Sequence, residues 1–89
     1  MQQKEIEIIN KLGLHARAAA KLVKLAGSFD CQIEIEKDKQ KVNAKSIMGV
    51  MMLAASRGNV VTILANGREE EQAIESVEKL FQDRFGEPE

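Results

Sequence analysis

From Gln3 to Ile9 apolar and polar residues alternate, with Ile6 and Ile8 on one side and Lys4, Glu5 and Glu7 among the polar positions. Such a pattern predicts a strand with one solvated face. The residues "NKLGL" then read as a loop in which Gly13 supplies a backbone conformation other residues avoid. From Ala16 the period becomes helical. Ala19, Leu22, Val23 and Ala26 form one apolar stripe, and Gly27 is a suitable stop. "CQIEIEK" alternates cleanly, with Cys31, Ile33 and Ile35 facing inward, and "KDKQ" turns the chain into a short partner strand, "KVNA". Ser46 is a preferred N-cap ahead of the apolar helix "IMGVMMLAA", which "SRGN" breaks. "VVTILA" is a β-branched strand closed by the turn "NG". A last amphipathic helix buries Ile74, Val77 and Phe81, flanked by Ala73 and Leu80, and runs to about Phe85. Glu69, Glu70 and Glu71 complement its N-terminal dipole, and "GEPE" is left as a loose tail.

The order is β-α-β-β-α-β-α. Two-faced strands imply a largely antiparallel sheet with helices on one side, an α+β sandwich formed as one domain over residues 1–89. No repeat, linker or low-complexity segment interrupts it.

Composition narrows the function. The formal net charge of -1 gives no bulk attraction to nucleic acid or an anionic membrane, and three Phe with no Tyr or Trp offer no base-stacking platform. A single cysteine, Cys31, forms no internal disulfide and suits a reducing cytosol. "MQQKEIEI" lacks the apolar core of a signal peptide, so the expected setting is cytoplasmic, with no membrane insertion. One His and one distant Cys are too few favoured ligands for a zinc site, no nucleophile elbow accompanies His15, and "GVMMLAASRGN" lacks the Gly-Lys-Ser/Thr ending of a Walker loop. No cofactor is expected.

Most histidines carry no chemistry, and the plain reading of His15 is a surface or capping residue. Its place argues for more. With a helix starting at Ala16, His15 is the N-cap, and the free amides of Ala16, Arg17 and Ala18 open beside its ring. A helix mouth binds phosphate, its dipole favours the neutral imidazole, and Arg17 adds a guanidinium fork. These parts make a phosphate cradle around a nucleophile. On the first helix Arg17, Lys21 and Lys24 share a face away from the core, edged by the small Ala16 and Ala20; the plainer reading is a solvated face. The second helix has almost no polar side. Val50 and Leu53 are assigned to the core, and Ile47, Met48 and Met51 to a partly open patch suited to partner docking, against the competing reading of a simple core helix. A phosphate on Ser46 would add charge beside that patch.

"GLHARAAAKLVKLAGSF" (13–29) and "NAKSIMGVMMLAASRGNVVTILANG" (43–67) resemble the active-site region and the serine-site helix of the HPr family, histidine-containing phosphocarriers of the bacterial phosphoenolpyruvate:sugar phosphotransferase system. The resemblance implies an open-faced β-sandwich of four antiparallel strands with three helices. It implies a phosphoryl group accepted on Nδ1 of His15 from phosphorylated enzyme I and passed to an EIIA domain, with Arg17 assisting. Ser46 matches the position phosphorylated by an HPr kinase. Ile47, Met48 and Met51 match the docking patch, and Lys21 and Lys24 its basic fringe. The protein would be a stoichiometric carrier, not an enzyme, and a monomer. Ala18 replaces the family's usual proline; it relaxes the helix entrance, returns one amide donor, and raises the alternative of a nitrogen-branch paralogue. The other alternative is a regulatory binding module acting through the Met-rich patch.

Overall fold

The computed structural model describes residues 1–89. Its elements are β1 (Gln2–Glu7), α1 (Ala16–Gly27), β2 (Cys31–Lys37), β3 (Gln40–Asn43), α2 (Ile47–Met52), β4 (Val60–Gly67) and α3 (Glu70–Gln82), with a 3-10 turn over Arg84–Gly86. The strands form one antiparallel sheet in the order β1-β4-β2-β3. This is the expected open-faced α+β sandwich, with three helices on one face.

Register explains why the alternation works. Ile6 pairs with Val61, Ile33 with Ala65, and Ile35 with Ile63. All six turn to the helices and are buried. The other face carries Glu36 opposite Thr62 and Lys41, and Glu34 opposite Leu64, which is buried although it lies on this polar side. Asp38 and Lys39 both adopt left-handed φ values, 51° and 69°, the two-residue hairpin geometry that matches strand twist.

The helices meet the sheet through the predicted stripes. Ala19, Leu22 and Ala26 of α1 and Ala73, Val77 and Phe81 of α3 are buried in one core with Val50 and Leu53. Val23 packs on the edge of that core.

Strand β3 opens at Gln40 and ends at Asn43, and β4 runs on through the Asn66-Gly67 pair read as a turn, while three further boundaries differ in ways that bear on the core. Strand β1 ends at Glu7, yet Ile8 stays buried because its amide donates to Asn59 O (2.9 Å) and its carbonyl accepts from Gly58 (2.8 Å). Helix α2 stops at Met52, since Ala54 turns left-handed with φ 49°. Helix α3 ends at Gln82 instead of near Phe85. Arg84 and Phe85 take φ values of 53° and 55°, which swing the Phe85 ring back under the helix end. There it is fully buried, its centroid 4.8 Å from that of Phe81. Burying a Phe contributes roughly 1.5–3 kcal/mol, which works against the strain of the two left-handed residues.

That turn also overturns the expectation of a loose tail. Lys21 Nζ donates to Phe85 O (2.5 Å), Glu87 N to Arg84 O (2.9 Å), and Lys11 N to Glu89 O (3.0 Å). The last residues are a strap fixed across the first loop and α1.

Candidate functional site

The site begins with a loop that cannot vary. Gly13 has φ +64°, and a Cβ there would lie 2.7 Å from Ala55 O and from Ser56 Cα. Leu14 N donates to the same Ala55 carbonyl (2.9 Å), so the loop is clamped to the segment after α2. The clamp delivers His15 to the N-cap of α1 with extended backbone, φ -73° and ψ 177°.

The first helical hydrogen bond is donated by Ala19 to His15 O (2.8 Å). The amides of Ala16, Arg17 and Ala18 therefore precede the ladder and have no acceptor within the helix. Arg17 is exposed, and Ala18 turns its methyl into the core while its amide stays in the first turn.

The His15 side chain makes no capping hydrogen bond. It is 27% exposed and lines an open groove of about 950 Å³ together with Lys11, Leu12, Ala16, Arg17 and the last three residues. An anion the size of phosphate has room beside a partly exposed imidazole and the residues Ala16 and Arg17.

Sequence reasoning missed two residues here. Nε2 of His15 forms a direct hydrogen-bonded pair with Oε2 of Glu87. Asn10, the one buried polar side chain apart from backbone groups, donates Nδ2 to the other carboxylate oxygen, Oε1 of Glu87 (2.9 Å), and to Gly13 O (2.8 Å). Partial burial raises the Glu87 carboxyl, but hydrogen bonds from Asn10 and His15, with the nearby Lys21 charge, hold it below the ordinary carboxylate range. Periodicity carries no trace of a contact 72 residues long. The readable signal was an aromatic, Phe85, one turn past the helix and just ahead of the acidic tail.

Elsewhere the predicted residues fall as follows. Ser46 is the N-cap of α2, and its Oγ accepts from Gly49 N (3.2 Å). Ile47, Met48 and Met51 are exposed at 40%, 69% and 42%, with Met52 and Leu12 exposed as well. Ala16, Ala20, Lys21 and Lys24 are exposed on α1. Lys21 is not a free fringe charge, because its ammonium is spent on the tail carbonyl of Phe85.

A sandwich of this order presenting one histidine at a helix mouth has the form of a small phosphoryl carrier. A family model described as the PTS HPr component phosphorylation site matches residues 2–83. The phosphocarrier protein HPr of Cupriavidus necator is 52% identical over 89 residues, covering both chains completely, and that of Pseudomonas aeruginosa is 48% identical over 86 residues and 96% of each chain. The crystal structure of HPr-C-His from Thermoanaerobacter tengcongensis superposes with a TM-score of 0.97 at 53% identity over the whole of both chains. The chain belongs to the HPr family. It is a phosphocarrier of the phosphotransferase system, used and regenerated stoichiometrically instead of acting as a catalyst. No helix is long and apolar enough to cross a membrane.

Proposed function

We propose that His15 is the residue that carries the phosphoryl group, taking it on Nδ1 from phosphorylated enzyme I and yielding it to an EIIA domain. The Nδ1 lone pair forms the P–N bond as the donor's bond to phosphorus breaks, and the same bond breaks when the group moves on. The amides of Ala16, Arg17 and Ala18 and the Arg17 guanidinium take the charge of the phosphoryl oxygens. The observation that carries this reading is a partly exposed ring at the N-cap, without a capping bond, opening on a groove that Ala16 and Arg17 also line.

Docking falls to Ile47, Met48 and Met51 of α2, with Ala16 and Ala20 allowing close approach and Lys24 meeting acidic partner surfaces, while Lys21 stays tied to the tail. Ser46 is the regulatory position, substrate for an HPr kinase/phosphorylase. A phosphate there adds negative charge at the edge of the apolar patch and repels an acidic partner. The carrier works as a single monomeric domain, in the cytoplasm, where soluble donors and acceptors meet it.

Incubation with enzyme I and labelled phosphoenolpyruvate tests the assignment. The wild-type chain gains one acid-labile phosphate and His15→Ala gains none. Labelling of the His15→Ala chain moves the carrier site elsewhere. A wild-type chain that stays unlabelled while its Met patch still binds a partner favours the regulatory-module reading.

A further inference from the structure

We propose that Glu87, held from behind by the buried Asn10, is a positioning residue that fixes the His15 imidazole as its Nε2–H tautomer and so leaves Nδ1 as the nucleophile. The inference rests on the assignment of His15 as carrier, and deepens it.

The polar groups admit one arrangement. Asn10 Nδ2 donates to Gly13 O and to Glu87 Oε1, while Asn10 Oδ1 is buried without a partner. Turning the amide over would aim Oδ1 at a carbonyl and a carboxylate, two acceptors, so the donor faces Glu87. The second carboxylate oxygen, Oε2, then accepts from His15 Nε2. An ionised carboxylate accepts only, so the proton of a neutral imidazole sits on Nε2 and the lone pair on Nδ1. The depressed carboxyl of Glu87 agrees with an anion at this place.

The groups facing the pair do not compete for the role. Lys21, whose charge bears on Glu87, has its ammonium on Phe85 O, and Glu89 is engaged with Lys11, by its backbone oxygen and at 3.5 Å by its side chain. Arg17 lines the groove among the free amides of α1. The chain has spent a fully buried Asn, a buried Phe85 and a left-handed turn on placing this one carboxylate, and leaves a buried oxygen unsatisfied in doing so.

The arrangement has a consequence for the transfer. Phosphorylation at Nδ1 retains the Nε2 proton, so the phosphorylated ring is cationic, and the Glu87 carboxylate faces that charge. The same carboxylate repels a phosphoryl group from the Nε2 side, which makes the site regioselective.

Glutamine in place of Glu87 separates this role from simple space-filling. Two donors, Asn10 Nδ2 and His15 Nε2–H, converge on two oxygens, and Gln offers one oxygen and an NH2. Long-range 1H–15N correlation of the imidazole, on unphosphorylated protein at alkaline pH, reads the tautomer directly. The wild type shows Nε2 protonated and Nδ1 bare. In Glu87→Gln and Glu87→Ala the ratio of Nε2–H to Nδ1–H falls about tenfold, and acceptance of phosphate slows with binding of enzyme I unchanged. Backbone amide shifts outside the groove stay in place in both variants, because Glu87 lies in the terminal strap and takes no part in the hydrophobic core. An imidazole spectrum unchanged in both variants overturns the proposal. The measurement needs no phosphate, so it fails or succeeds apart from the labelling of His15.

Discussion

His15 stands where a helix ordinarily places Ser, Thr, Asp or Asn, and its ring does not cap. A capping side chain is worth about 1 kcal/mol, so the position is tuned away from stability. Ser46 shows the contrast within the same chain, since its hydroxyl accepts from Gly49 in the usual way. Glu87 works in both directions, for the site and for the fold. Its carboxyl lies below its unfolded value, so the ionised form stabilises the folded state. That contribution is complete above the unfolded glutamate value of roughly 4.3 and is lost as pH falls below it, through the lowered folded value. Urea midpoints measured at pH 6 and pH 3 should therefore fall further for the wild type than for Glu87→Gln. Equal drops would mean the strap contact adds no pH-dependent stability.

Among the elements, α2 is the one whose composition looks wrong for burial and whose exposure explains it. Val50 and Leu53 reach the core, while Ile47, Met48, Met51 and Met52 stay at the surface. Met48→Glu should weaken enzyme I binding about tenfold, on the order of 1.4 kcal/mol, in a titration, with thermal stability changed by no more than about 0.5 kcal/mol. A large loss of stability instead would make Met48 a packing residue. Every strand and helix was readable from local periodicity, because the period of 2 or 3.6 is a local property of which face is dry. The helix mouth was legible for the same reason, His15 preceding an alanine-rich run. What escaped were positions set by contacts distant in sequence. Asn10 sat in a short loop, and nothing nearby indicated that it is buried. The α3 stripe through Ile74, Val77 and Phe81 continues geometrically to Phe85, so periodicity extended the helix. The actual path buries the same ring after a left-handed turn.

In the molecule as a whole, the first loop and the last residues close on the same groove. Asn10 and Lys11 from the one meet Glu87 and Glu89 from the other, and Lys21 of α1 ties Phe85 between them. The sandwich thereby presents a helix mouth whose amides point outward while the histidine beside them is held from a second direction. Proton–nitrogen correlation spectra, recorded before and after phosphorylation by enzyme I and phosphoenolpyruvate, test this arrangement most directly. The amides of Ala16, Arg17 and Ala18 should move downfield together as they take up hydrogen bonds to the phosphoryl oxygens, with the His15 ring shifting at Nδ1. Phosphorylated protein in which those three amides stay where they were would contradict the claim that the mouth of α1 holds the group.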